Sequence, residues 1–445
     1  MANGRVWMDW LIFLAGILII LVGLMVSIGL HEIGHLVPAK LFGVKVTQYM
    51  VGFGPTMWSK RKGETEYGVK WLPFGGYIRM IGMLPPRPGD DPNKVRQTST
   101  GPFQGLIEQA RDLAQEEVRP GDENRVFYRK KWWQKVIIMS GGPFMNILLA
   151  FVLFGVVYMV MGVQTLKPVL AQVQQCVVSA EVQQKEPNRA CTAADPKTPS
   201  AQAGLKPGDK VVSFNGTPIT RWEQVRDGIR AAGASQVTLG IEREGKLQDL
   251  KVALIAQDMP NVEDPKKIDK GVGYLGVVPQ VVIEQKDFPY LVTEFGETVA
   301  HVGESLINLP QRMVGVWNAA FSGDERDANG PIGVVGIGRI GGEIATMDIA
   351  VENKLLVFVN LLAGFNLAVG LFNLIPLLPL DGGHIAGGLW EGLKRGFARI
   401  ARRPEPAPVD VAKVLPLTYA LAFVFMFMAG LLVYADLVNP VKLTG

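Results

Sequence analysis

The sequence predicts a multi-pass α-helical membrane protein: four transmembrane helices, a re-entrant β-hairpin and an inserted extracytoplasmic α+β domain. Three observations carry this. The 445 residues are 48% apolar, with a mean hydropathy of +0.20. Four runs reach the ~20 apolar residues that a bilayer span requires. Between the second and third runs lies a long stretch with strand-like alternation and Gly, Pro and Asn turns. The formal net charge of +4 is modest, and no basic module interleaved with aromatics is present, which argues against a nucleic-acid partner.

Residues 1–42 form the first span. Trp10 to Lys40 as a helix would be ~45 Å long against a hydrocarbon core of ~30 Å, so the segment overshoots at one end. Arg5 is a weak basic start, the apolar run is longer than a signal core, and no small-x-small site precedes the polar motif, so the segment is expected to be retained. That motif is His31-Glu32-Ile-Gly-His35. On a helix the two imidazoles lie one turn apart on one face and can reach one metal, with Glu32 beside them. In zinc hydrolases the metal lowers the pKa of bound water to about 7 and polarises the scissile carbonyl, while a glutamate takes the proton. A carboxylate within a spanning segment costs about 2.5–3.5 kcal/mol on insertion scales and calls for a role.

Residues 43–82 read as a membrane-associated β-hairpin. The chain turns near Gly52–Pro55, and the strand-like runs Glu66–Trp71 and Tyr77–Ile81 are joined through Leu72-Pro-Phe74-Gly75-Gly76. Residues 83–135 form a polar cytoplasmic loop with a short helix near Gly105–Glu117 and no chemistry. The second span, 136–165, follows the anchor Tyr128-Arg-Lys-Lys-Trp-Trp-Gln-Lys135. Within it Gly141-Gly-Pro143-Phe-Met-Asn146 offers small residues for close helix approach and one amide in need of a partner. Residues 166–280 form the inserted domain, in which Gly204-Leu205-Lys-Pro-Gly-Asp209 and Gly273-Tyr274-Leu275-Gly276 punctuate strands. Residues 281–354 carry an amphipathic helical pattern, broken at Pro310, that is expected on the membrane surface or on the inserted domain. The third span, 355–383, ends Asn373-Leu-Ile-Pro376-Leu-Leu-Pro379-Leu-Asp381-Gly382. Its prolines should unwind the helix and free Asp381 to turn toward a neighbour. Residues 384–413 read as a basic cytoplasmic loop, with His384 as a fourth ligand, a partner of a ligand or a solvated side chain. Residues 414–445 hold the fourth span, with a structural role.

Lys and Arg crowd the ends of the first loop (Lys40, Lys45, Lys60–Lys62, Arg129–Lys131) and the segment after the third span (Lys394, Arg395, Arg399, Arg402, Arg403). The positive-inside tendency places both in the cytoplasm and the inserted domain outside. The two cysteines, Cys176 and Cys191, both fall in that outside loop. They can close a disulfide or stand as independent thiols. Counting along each span brings His31, His35, Asn146 and Asp381 to similar depth on the cytoplasmic side. Two His plus one carboxylate with an open fourth position is a catalytic zinc set.

The motifs His31-Glu32-x-x-His35, Gly142-Pro143-x-x-Asn146 and Asn373-x-x-Pro376 with Asp381-Gly382 resemble the site-2 protease family of intramembrane zinc metalloproteases (peptidase family M50, regulator of sigma-E protease type). The likeness covers most of the chain. The inserted module resembles a PDZ domain of the bacterial protease type; a single such repeat and the Leu-Leu-Pro-Leu-Asp spacing look closer to actinobacterial members than to enterobacterial ones. The resemblance implies that His31, His35 and Asp381 hold Zn2+ and that Glu32 is the general base. It implies that Asn146, Asn373 and Pro376 orient substrate or catalytic groups, and that Phe74, Gly75, Gly76 and Tyr77 clamp substrate as a strand. The PDZ-like peptide site would involve Gly204, Leu205, Tyr274, Leu275 and Gly276. Implied partners are single-span membrane proteins already shortened outside by a site-1-type protease, such as anti-sigma factors, and remnant signal peptides. Two other readings compete: a membrane-anchored PDZ scaffold or chaperone with a structural metal, and a zinc hydrolase of lipids or other small substrates. A structural metal site gives no reason for Glu32.

Overall fold

The computed structural model describes residues 2–85, 120–177, 191–192, 195–262, 267–327, 330–409 and 414–441. The helix expected near Gly105–Glu117 lies outside them. The chain divides into two units, one of Met1–Val160 with Asp287–Gly445 and one of Met161–Lys286; the expected insertion of 166–280 is thus a few residues short at each end.

The first unit contains α1 (Ala2–Leu41), β1 (Val46–Lys62), β2 (Thr65–Met80) and α2 (Trp132–Gly155). After the insertion it continues with α5 (Phe288–Ile307), α6 (Leu309–Phe321), α7 (Val334–Thr346), α8 (Val351–Asn373), α9 (Asp381–Ile400) and α10 (Leu415–Val438). Among the described residues, four stretches are long and apolar enough to cross a membrane: Trp7–Leu41, Trp132–Met161, Val351–Asn373 and Leu415–Val438. The architecture is that of a membrane protein carrying an inserted β-rich unit.

Small residues set the helix crossings. A Cβ on Gly34 of α1 would lie 2.2 Å from the Gly141 carbonyl oxygen of α2, and one on Gly141 would lie 1.9 Å from that of Gly34. The two backbones therefore touch, as packing in lipid favours. Likewise Gly16 of α1 meets α7, where its Cβ would sit 2.2 Å from the Gly341 oxygen. Leu291 of α5 packs with Ala150 and Phe154 of α2 and with Ala363 and Leu367 of α8, and α6 packs Met313 and Val316 on Leu431 and Ala435 of α10. The amphipathic region thus covers the spans, where surface packing was expected, because its apolar stripes match theirs. Its break at Pro310 is borne out by the boundary between α5 and α6.

The hairpin differs from expectation. Glu66–Trp71 and Tyr77–Ile81 do not pair with each other; Thr65–Met80 is one bent strand, joined to β1 by a turn at Gly63-Glu64. Residues 46–51 of β1 lie between the two halves of β2, with Met50 opposite Tyr77 on one side and Gly68 on the other. Gly52 and Gly54, at φ +92° and +82°, give β1 its bend where a chain turn was expected. The third span also ends earlier than expected, at Asn373, and Asp381–Ile400 is a helix where a loop was expected.

The second unit holds α3 (Pro199–Gln202), α4 (Trp222–Ala232) and β3 to β10: Val163–Val173, Lys210–Phe214, Thr217–Pro218, Gln236–Arg243, Lys246–Ala253, Ile255–Pro260, Ile268–Tyr274 and Val277–Glu284. The main sheet runs β10-β3-β4-β6-β7, with β5 on β4, and β8 pairs with β9. Val211, Val225, Leu239, Ile241 and Val252 centre its core. Asp209, 1% exposed, receives both Nε and Nη2 of Arg243 at 2.7 Å. Cys176 and Cys191 form a disulfide.

Candidate metal centre and active site

His31 and His35 sit one turn apart on α1, and Asp381 opens α9. The three side chains meet. His31 Nε2 and His35 Nε2 are 3.3 Å apart, and the Asp381 Oδ2 lies 3.4 Å and 3.3 Å from them. This is a nearly equilateral triangle. Ligand atoms held ~2.0–2.1 Å from one ion at tetrahedral angles are separated by ~3.3 Å, so the triangle matches one face of a zinc tetrahedron and leaves the fourth position open. The His35 Nδ1 hydrogen bonds the Ile138 carbonyl oxygen at 2.8 Å. Because that oxygen only accepts, Nδ1 carries the proton and Nε2 presents its lone pair to the metal side, the usual support for a histidine ligand. Space is kept by Gly142 of α2, whose added Cβ would fall 2.2 Å from His35 Nε2 and 2.7 Å from His31 Cε1. The donor set, its spacing and its clearance all fit Zn2+.

Around this cluster lies a cavity of about 270 Å3, lined in part by Ser27, His31, Glu32, Gly75, Gly76, Asn146, Asn373 and Asp381. Glu32 is 7% exposed. Gly76 of β2 packs on it, since a Cβ there would lie 3.0 Å from Glu32 Cγ and 2.9 Å from Ile28. The hairpin is held to α1 by the Tyr49 hydroxyl, which donates to the Gly29 carbonyl at 2.8 Å. Asn146 is 2% exposed and its Oδ1 has no hydrogen-bond partner among the described residues.

Most of the expected residues therefore converge, but not all. Pro376 lines a different cavity with Leu378, Trp390 and Leu417. Tyr77 stacks on Phe53 and points its hydroxyl at Gln48 Oε1, 3.5 Å away. Phe74 lies in β2 and its side chain is outside the described residues. His384 is half-buried; it lines a small cavity with Lys135 and Glu391 and is not among the three residues of the metal cluster. In the inserted unit, Gly204 and Gly276 adopt φ +72° and +83°, and the Tyr274 hydroxyl bonds Gln174. Leu205 and Leu275 belong to the hydrophobic core, and both are tied to Ser200: the Leu205 N–H donates to its carbonyl and the Leu275 carbonyl accepts from its N–H, each at 3.0 Å.

Sequence reasoning missed Asn366, fully buried in α8, whose Nδ2 donates to Ser27 Oγ at 2.9 Å. It lies seven residues before Asn373, on the same helix face, and that spacing was a readable signal. It also missed the buried pair Lys135–Glu391, at 2.7 Å, which joins α2 to α9.

The family model for peptidase family M50 matches residues 19–403. The chain belongs to that family. Relatives named as zinc metalloproteases match most of its length. It is 33% identical to zinc metalloprotease Rip1 of Mycobacterium tuberculosis (strain H37Rv) over 445 residues, 97% of this chain and 100% of the relative. It is 32% identical to Rip1 of Mycolicibacterium smegmatis over the same shares, and 27% identical to a putative zinc metalloprotease of Brucella suis, covering 83% of this chain and 84% of the relative. The M50 membership makes this chain a zinc metalloprotease of the site-2 type, using Zn2+ and acting within the membrane on membrane proteins. A scaffold with a structural metal is thereby set aside.

Proposed function

We propose that His31, His35 and Asp381 hold the zinc, that Glu32 is the general base, and that the substrate is a single-span membrane protein already shortened on its outer side. The observation that carries this reading is the triangle of donor atoms facing the same cavity as Glu32.

When bound, zinc supplies Lewis-acid polarisation of the scissile carbonyl and activation of water. The rest is done by side chains of this protein. Glu32 accepts the proton of the attacking water on its carboxylate and returns it to the departing amide nitrogen. Asn146, with a free carbonyl oxygen in the cavity wall, and Asn373 hold the substrate backbone. In a transmembrane helix the peptide bond is shielded, so the substrate must unwind to be cut. Residues 76–80 of β2 pair with β1 on one side only, and we assign the other edge to a substrate strand, with Gly75 and Gly76 admitting it beside Glu32. A strand so added satisfies its backbone at membrane depth, which makes this sheet re-entrant.

The inserted unit serves as a PDZ-like domain. Its strand β10 is at the edge of the sheet and follows the Gly273–Gly276 turn, an arrangement suited to receiving a peptide end by strand addition. The basic residues flanking the spans support an orientation with the zinc toward the cytoplasm and the inserted unit outside. Anti-sigma factors and remnant signal peptides, produced by an upstream site-1-type protease, are the substrates this arrangement suits.

Glu32→Gln tests the reading. The purified variant should retain zinc at wild-type stoichiometry and lose cleavage of a transmembrane peptide by at least 10²-fold, within the range for general-base removal. Undiminished cleavage would overturn it. So would loss of zinc from a well-folded variant, since Glu32 would then be a ligand.

A further inference from the structure

α9 begins with Asp381 and presents two opposite faces. One packs on α2: a Cβ on Gly388 would lie 2.9 Å from Val136, one on Gly392 2.7 Å from the Trp132 indole, and Glu391 is buried against Lys135. The other carries Leu389, Trp390, Leu393, Phe397 and Ile400, exposed by 51%, 55%, 64%, 65% and 84%. At 100° per residue these five fall within about a quarter to a third of the helix circumference. Lys394 and Arg399 flank the stripe, and Arg402 and Arg403 follow the helix end. None of these four has an ion-pair partner among the described residues. The span α8 ends before α9 and the span α10 begins after it, so both ends of the segment are tethered at the membrane. Beside Trp390 is a cavity of about 250 Å3 walled by Pro376, Leu378, Ala386, Leu417 and Leu421, an environment for an acyl chain.

We propose that α9 lies on the bilayer surface with its apolar stripe among the acyl chains and Lys394, Arg399, Arg402 and Arg403 on anionic phospholipid headgroups, and that this contact fixes where Asp381 stands. An apolar stripe bordered by basic residues is what an interfacial helix on an anionic leaflet requires. A 20-residue helix is a stiff rod of ~30 Å, so its tilt on the lipid is carried to its first residue. The second half of the proposal rests on Asp381 being a zinc ligand; the first half does not.

The test uses the full chain in vesicles of phosphatidylcholine with or without one third phosphatidylglycerol. The native cysteines are bonded to each other, so a nitroxide can be placed on single cysteines introduced as Leu393→Cys, Phe397→Cys and Arg402→Cys. The labels at 393 and 397 should collide more with dissolved oxygen than with a water-soluble nickel chelate, and the label at 402 the reverse. A label at 393 as open to nickel as that at 402 overturns the docking. One sheltered from both reagents also overturns it, since protein, either a second copy or another partner, would then cover the face. Separately, zinc loss to a chelator should be about tenfold faster without phosphatidylglycerol, the size of effect that displaced ligand support produces. Wild type in the two lipids makes this comparison with no substitution at all. Equal rates overturn the link to Asp381 while the depth measurement still decides the docking.

Discussion

Gly142→Ala is the sharpest probe of the metal centre, because it adds one methyl group and removes nothing. The new Cβ would start 2.2 Å from His35 Nε2 and 2.7 Å from His31 Nε2. Ordinary carbon–nitrogen contact needs ~3.4 Å, so the imidazole of His35 must retreat by about 1.2 Å. That ring is pinned from behind by its bond to the Ile138 carbonyl, and α2 cannot move away without breaking the Gly34–Gly141 contact. Zinc–ligand distances tolerate only about 0.2 Å. The expected result is zinc affinity lowered by at least 10²-fold, about 2.7 kcal/mol, measured by competition with a calibrated chelator on the detergent-purified protein. Gly364→Ala is the control: it lies in a spanning helix with nothing within 4 Å of its added Cβ, and zinc binding should be unchanged. A Gly142→Ala protein that holds zinc as tightly as wild type would refute the assignment of both imidazoles as ligands.

Other expectations follow from the same geometry. Asn146→Ala removes a buried, unpartnered oxygen, so thermal stability should hold or rise by up to about 1 kcal/mol while kcat/KM falls at least tenfold; a parallel loss of both would make the residue structural. Lys135→Met should destabilise by about 1–3 kcal/mol, because the Glu391 carboxylate loses its buried ammonium partner and keeps only Arg395, 3.0 Å from its other oxygen, and Lys135→Met with Glu391→Met should recover most of that, read from thermal unfolding in detergent. In the inserted unit, burial works against ionisation of Asp209, but the paired guanidinium of Arg243 and the Lys206 N–H outweigh it and hold the carboxyl below its usual range. A depressed carboxyl stabilises the fold above the unfolded pKa of about 3.9 and loses that contribution as pH falls through the folded value. Asp209→Asn should therefore be less stable than wild type at pH 7, with the gap narrowing below about pH 4; a gap that stays constant with pH would refute the role of the charge.

What the sequence disclosed depended on how local the signal was. His31 and His35 could be read directly because helix periodicity alone puts them on one face, with Glu32 the neighbour of His31. Asp381 needed only a count of residues along a second span. The hairpin was harder: Val46–Lys62 has no clean alternation, and its bend rests on backbone torsions at Gly52 and Gly54 that no side-chain pattern announces. Helix α7 was hidden for a related reason. Four glycines at positions 336, 338, 341 and 342 argue against a helix in water, yet two of them are what let it lie on α1, where Phe13 and Ile20 fill the space a side chain would need. In α9 the glycines at its start and the density of charge masked a regular stripe from Leu389 to Ile400.

The cavity draws its wall from α1, β2, α2 and α8, and only Asp381 completes the donor triangle. Asp381 follows His35 by 346 residues, so during synthesis the emerging polypeptide holds just a pair of imidazoles at this point until that long intervening stretch has left the ribosome. With the ligand set proposed above, a partly made copy lacks the third donor, so metal loading waits on the late arrival of one carboxylate rather than on the early helix that carries both imidazoles.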